Sequence, residues 1–469
     1  MTKRPTSSSE IPTDSPKRQR LTTSASPSAS PSPPAIQSPS SQQTHQQALE
    51  NLYLDTIDRK RLDFDFEKLC SVTLSNVNIY GCLTCGKYFQ GRGKSSPAYF
   101  HSVNEDHHVF INFNTLKVYL LPENKIVENS LLDDIKYAID PTYNKDDLKK
   151  LTTIQARDLS GVTYSPGFVG LNDIKRNDYA NVVLQLVSHI KSVRDFCLLS
   201  SDNDKHIPKN ELNKAFTIFV KKLWSPRLFK NHISPHELLQ LIGVISNKKF
   251  TISEQKPPRD FLLWLLNTLH KSFTDPTTKT SVFSTIQGKL QVTSTSTSTV
   301  TTTKFWILTL DLPASSLFKS KSGVHEIPQI SLQTLLSKYD GITETHTGTT
   351  VQTYKILKYP SFLILDIPRF RDKSLSIPLS VKDRNQTIVQ FPLEIEFDEG
   401  KVKYRLVSNI VHELKQSDEL NKDDGSSWKV QLRKSQDEWV EIKDLKVEKK
   451  EEAYLFLGET CLQLWERIK

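Results

Sequence analysis

Cys82 and Cys85, with two residues between them in "CLTCGKYFQGRGKSSPAYFHSVNEDHHVFINF", limit this chain's folding more than any other feature. Two thiols at that spacing share one tight knuckle, and a zinc ion needs about four nitrogen or sulfur ligands in a tetrahedron. Downstream, His101, His107 and His108 offer the rest. Gly86, Gly91 and Gly93 allow the sharp turns such a knuckle requires. Chance rarely gathers these residue types, so the stretch reads as a metal module rather than as buried thiols beside surface histidines.

The five cysteines, which include Cys70, Cys197 and Cys461, are odd in number and widely scattered. That argues against a disulfide framework and for a reducing compartment, where a C-x-x-C serves metal or redox chemistry. No apolar run is long enough to cross a bilayer, and no signal-peptide core opens the chain. The expectation is a soluble intracellular protein with no membrane partner. At 469 residues the chain suits a large domain plus a small one. A net charge of +9 fits an acidic partner such as RNA, and equally a protein that is basic throughout.

Composition divides the chain. Residues 1–46 are rich in Ser, Pro, Thr and Gln and cannot bury enough surface to offset their ordering entropy, so they read as a disordered tail. Its "SPKRQR", with Lys17, Arg18 and Arg20, reads as a nuclear-localisation signal. Residues 47–68 form an apolar-rich lead-in expected to be helical, 69–125 the Cys/His module, and 126–165 a polar connector. The rest, 166–469, is one long α+β domain. "DFLLWLLNTLHKSF" has helical spacing, whereas "FWILTLDLP", "PSFLILDIPRF" and "YRLVSNIVHEL" are strand-like. The low-complexity run Thr293 to Lys304 suits either a hairpin or a solvated insertion.

The Cys/His module resembles the UBP-type zinc finger found beside ubiquitin-specific proteases. That resemblance implies Cys82, Cys85, His101 and His107 as ligands of one structural zinc ion. Some relatives place a ligand near Pro97, which cannot ligate. Four protein ligands leave no open position for hydrolytic water. Fingers of this type that hold a free ubiquitin tail use an arginine soon after the second cysteine. Lys87 stands there and is a poor substitute for a bidentate fork, which speaks against ubiquitin binding by this finger.

The resemblance continues in "GFVGLNDIKRNDYANVVLQ", which is similar to the opening motif G-L-x-N-L-G-N-T-C-Y-M-N of the ubiquitin-specific protease family. Gly170, Leu171, Tyr179 and Asn181 fit the frame, but Asp178 occupies the place of the nucleophilic cysteine. Asp173 takes the place of the asparagine that steadies the oxyanion, and loss of one such donor costs about a hundred- to a thousandfold in rate. Near the C-terminus, Ser427 aligns with the catalytic histidine and Lys443 with the residue that orients it. His412 matches a different family position. Cys197 and Cys461 lack motifs and read as core. No second pair of C-x-x-C motifs follows Cys85, so a second zinc is not expected.

The resemblance therefore implies a papain-like thumb-palm-fingers fold without an enzyme's chemistry. The chain's motifs look very much like those of the branch of this family made up of catalytically inactive splicing factors of the U4/U6-U5 tri-snRNP. It implies a nuclear, non-enzymatic role in assembling or maintaining that particle. The partners would be U5 scaffold and helicase proteins, with only indirect or incidental RNA contact. The alternative is a pseudo-deubiquitinase that reads ubiquitin or a ubiquitin-like protein.

Overall fold

The computed structural model describes residues 51–200, 211–273, 282–294, 298–314, 327–347, 350–372, 377–378, 383–414 and 425–468. The tail at 1–46, with Lys17, Arg18 and Arg20, lies outside them. All that follows concerns the unit Leu52–Lys469.

Short apolar strands build the first sheet: β1 (Ile79–Cys82), β2 (Tyr88–Gln90), β3 (Val109–Asn112), β4 (Val118–Leu120) and β5 (Lys125–Val127). They run antiparallel in the order β2-β1-β3-β4-β5. Between β2 and β3 lies α1 (Pro97–Glu105), with Ser96 as N-cap and Pro97 at its start, where a missing N–H costs nothing. Among its described residues the lead-in is helical at 51–54 and in the turn Arg59–Arg61, and irregular elsewhere. The connector holds α2 (Asp133–Ile139) and α3 (Lys145–Lys150), the latter closed by an Asn144/Asp147 capping box.

The larger region opens on α4 (Asp178–Ser188), in which every residue is buried. Its polar residues Asp178, Asn181, Gln185 and Ser188 recur at helical spacing and make one stripe among apolar neighbours. Around α4 lie α5 (Lys191–Leu199), α6 (Glu211–Leu223), α7 (His236–Ile245) and α8 (Pro258–Ser272). The last of these is the expected "DFLLWLLNTLHKSF" helix. One core joins these helices to Trp428, Val430, Ile442 and Leu462 of the main sheet.

Two sheets complete the region. A hairpin of β6 (Gly288–Ser294) and β7 (Thr299–Phe305) pairs with β10 (Thr350–Lys358), which pairs with β9 (Thr345–Thr347). The Thr-rich run is thus strand on both sides of 295–297. The main sheet has the order β8 (Ile307–Thr309), β11 (Phe362–Asp366), β17 (Glu459–Ile468), β13 (Val402–Leu414), β14 (Ser426–Arg433), β15 (Trp439–Lys443), β16 (Lys446–Lys450), with β12 (Glu394–Phe397) also on β13. Just after β11, the buried Arg369 donates to the carbonyls of Thr460, Asn385 and Thr387 and ties three segments together.

The lead-in fastens the finger to the larger region. Lys222 Nζ reaches Asp65 at 2.9 Å and the Phe64 carbonyl at 2.8 Å. Ser234 N–H donates to Asp65 at 2.9 Å, Lys230 pairs with Asp63 at 2.6 Å, and Lys68 pairs with Glu237 at 2.6 Å. Burial raises the Asp65 carboxyl, but Lys222 and the Ser234 N–H outweigh it and hold the group below its usual range.

Candidate functional site

The metal knuckle is built from β1, α1 and the turn before β3. Gly86 carries a φ of +77°, and a Cβ there would meet the Arg61 carbonyl oxygen at 2.3 Å, so only glycine closes the turn after Cys85. Helix α1 presents His101, whose ring stacks on Phe89 at 4.1 Å. Asp106, at φ 57°, ends the helix and turns His107 back toward it. One ligand atom each from Cys82, Cys85, His101 and His107 lies within 4.8 Å of all the others. Cys85 Sγ is 3.4 Å from His101 Nε2, which is 3.0 Å from His107 Nδ1. Two thiols and two imidazoles so gathered fit tetrahedral zinc, with its metal–ligand distances of about 2.0–2.3 Å. The Cys85 thiol is drawn down to about 4, first by its hydrogen bond with Cys82 and further by His101 and His107.

His108 does not join them. Its Nδ1 is 2.7 Å from the Leu121 carbonyl and its Nε2 2.8 Å from Asp106. Cys70 is also apart, its sulfur accepting from the N–H groups of Thr73 and Gln90.

The second site is the N-terminal end of α4. Asn177 binds the loop before it: its Oδ1 accepts from Ile174 N–H at 2.7 Å, and its Nδ2 donates to the Asn172 carbonyl and to Asn181. Asp173 accepts from Asn177 N–H at 2.9 Å and so braces this loop. Asp178 is 3% exposed. Its Oδ1 accepts from Tyr179 N–H at 2.9 Å and from Gln255 Nε2 at 2.7 Å, and its Oδ2 accepts from Trp428 N–H at 3.1 Å. Burial pushes this carboxyl above the usual range; the Gln255 hydrogen bond opposes that shift and Asp173 adds to it. The cavity beside it, shared with Trp428 and Asp444, measures about 10 Å³, the lower limit for one water.

Ser427 is buried in β14 immediately before Trp428, whose N–H is the one that reaches Asp178. Lys443 points elsewhere and pairs with Glu413 at 2.7 Å. His412, opposite Trp428 on β13, contacts Glu459 through Nδ1 at 2.9 Å and Ser426 Oγ through Nε2 at 3.0 Å. Glu459 is in turn gripped by Arg384 at 2.6 Å. Burial raises the Glu459 carboxyl, but His412 and Arg384 prevail and hold it down to about 2. Cys197 and Cys461 are buried, and burial pushes both thiols up to about 12. Gln255, which bonds both Asp178 and the Ser426 carbonyl, escaped the sequence reading, as no motif surrounds it.

Comparison with known proteins places this geometry. Residues 169–460 match the family of ubiquitin carboxyl-terminal hydrolases, and residues 70–132 match the zinc finger found in ubiquitin hydrolases and other proteins. The chain belongs to the ubiquitin carboxyl-terminal hydrolase family, in the form that carries this zinc finger ahead of the hydrolase-like domain. It is 40% identical over 457 residues to the probable mRNA-splicing protein ubp10 of Schizosaccharomyces pombe, across 89% of this chain and 88% of that one. It is 38% identical over 461 residues to ubiquitin carboxyl-terminal hydrolase 39 of Homo sapiens, across 88% and 79%. A crystal structure of an essential yeast splicing factor superposes with a TM-score of 0.77 at 39% identity, covering 89% of this chain and all of that one. The α+β fold with a zinc-binding finger, expected from the motifs, is the one observed.

Proposed function

We propose that this chain is a nuclear, non-enzymatic pre-mRNA splicing factor that supports assembly or maintenance of the U4/U6-U5 tri-snRNP by protein docking. The observation that carries the reading is Asp178. A carboxylate stands where the family's nucleophile would be, and its acceptors are engaged by Tyr179, Gln255 and Trp428. A carboxylate so held does not attack an amide, and chemistry of this type needs a thiolate. Asp173, Ser427 and Lys443 supply no oxyanion donor, base or orienting acid. Similarity to proteins named for splicing supports the role.

In this reading residues 69–125 are the finger, 126–165 the connector and 166–469 the docking domain. Cys82, Cys85, His101 and His107 hold one structural zinc ion. The partners are U5 scaffold and helicase proteins. The test is affinity capture of the tagged chain from nuclear extract, probing the bound small nuclear RNAs. Recovery of U4, U5 and U6 together is the expected result. Recovery of ubiquitin conjugates without them would replace this reading with that of a ubiquitin reader.

A further inference from the structure

Three lysines stand side by side across three neighbouring strands. Lys304 on β7 is directly opposite Lys289 on β6, and Lys289 is directly opposite Lys358 on β10. Neighbouring strands lie about 4.8 Å apart, and like charges directly opposite one another destabilise a sheet. All three side chains are exposed, and none forms an ion pair among the described residues.

A backbone irregularity creates the juxtaposition. Beyond it, Leu290 faces Ile356 and Gln291 faces Lys355, a register that would set Lys289 against Leu357. A bulge between Lys289 and Leu290 sets it against Lys358 instead. Bulges re-aim side chains in this way beside functional sites. The preceding Gly288 lets the strands close: a Cβ there would meet the Phe305 ring at 2.2 Å and the Lys358 carbonyl at 2.9 Å.

The three lysines border a cavity of about 320 Å³ that His270, Ser284 and Gln287 also line. Lys358 Nζ donates to the Ser284 carbonyl at 3.4 Å, which keeps its charge at the rim. His270 contacts the rings of Phe283 and Trp306 at 5.4 Å each, so it forms a braced wall. Lysine suits phosphate as a point charge, whereas carboxylate recognition favours the arginine fork, which is absent here. A cavity of this size is at the lower bound for small-ligand sites.

We propose that Lys289, Lys304 and Lys358 form a phosphate-binding ladder for single-stranded RNA, with one nucleoside resting against the His270 wall. This goes beyond the docking role and departs from the expectation that RNA contact is indirect; its failure leaves the splicing reading untouched. The probe is a labelled oligouridylate of about 12 nucleotides, followed by fluorescence anisotropy on the purified full chain across a salt series. The triple variant Lys289→Gln, Lys304→Gln, Lys358→Gln should bind more weakly. Its slope of log affinity against log salt should fall by about 2, at about 0.7 per neutralised phosphate. A control of equal charge loss on α3, Lys145→Gln, Lys149→Gln, Lys150→Gln, should keep the parent slope. Without RNA, the ladder variant should melt at or above the parent's temperature, because a mutual repulsion is gone. The inference falls if the parent does not bind the oligonucleotide or if the control loses as much slope. It falls equally if the ladder variant melts lower, or if polyglutamate binds the ladder with the same slope, which would assign it to an acidic protein segment.

Discussion

The knuckle of the finger and the N-terminal end of α4 are both turns that feed polar side chains into one place, yet their chemistry is opposite. In the knuckle, the ligand atoms of Cys82, Cys85, His101 and His107 face one another, and their gathering makes sense around a cation. At α4, Asp178 is met from three directions by donors of the chain itself. One site is built to receive something and the other is already satisfied. On the reading proposed above, a family fold keeps a binding device and closes a catalytic one, since fold and chemistry separate readily.

The largest expected effect lies on the open side of this comparison. Structural zinc contributes on the order of 10 kcal/mol to a small finger. Cys82→Ser or His101→Ala should therefore release the metal and unfold residues around β1–β3, read as loss of bound zinc by elemental analysis and as new protease sensitivity. The parent should carry one zinc per chain. If the His101→Ala protein kept its zinc and its fold, the ligand assignment would be wrong.

Next is the clamp between finger and larger region. Lys222 and Asp65 are both largely buried, and removing one partner of such a pair costs about 3–5 kcal/mol. Lys222→Ala should lower the melting temperature and expose the lead-in to proteolysis, whereas Lys149→Ala on the exposed Asp146 pair should do neither.

Glu459 yields a pH-dependent effect. Its folded value near 2 lies below an ordinary 4.5, so its contribution is present above about pH 4.5 and is lost as pH falls toward 2. The difference corresponds to about 3 kcal/mol. Chemical denaturation across that window should show an acid limb, and Glu459→Gln should flatten it; an unchanged limb would mean the His412–Glu459–Arg384 chain does not stabilise the fold.

The smallest expected effect belongs to the closed site. Asp178→Cys should leave hydrolysis of a ubiquitin–aminocoumarin conjugate at background. On the reading proposed above Ser427 takes the base position, and His412 is engaged by Glu459 and Ser426. Turnover by this single variant would show that the cleft retains more of a protease than its residues indicate.

How much of this was legible in the sequence follows from how local each feature is. The knuckle was readable because rare ligand types recur along one short run. The choice of His107 over His108 came from the family resemblance alone; its physical basis, how Asp106 ends α1 and the Leu121 carbonyl that engages His108, is not visible in the residues. Helix α8 and the strand of "YRLVSNIVHEL" followed from apolar and branched patterning, whereas α4 was met only as a motif. Asp178, Ser427 and His412 were singled out by motif frame, but the partners of Asp178 and His412 were not: Gln255, Glu459 and Arg384 come from distant segments with no pattern of their own. The lead-in looked helical because it is rich in apolar and charged residues. In the fold, Asp63, Asp65 and Lys68 are spent on contacts with the larger region instead. The bulge that aligns Lys289 with Lys358 is a one-residue shift, which side-chain alternation alone does not reveal.

The central claim, a hydrolase fold whose catalytic position is closed, is tested most directly by incubating the zinc-loaded chain with ubiquitin carrying a C-terminal propargyl group and weighing the intact product. The account predicts the unmodified mass, because Cys197 and Cys461 are buried with raised thiols and the nucleophile position is Asp178. A stoichiometric ubiquitin adduct on any cysteine would contradict it.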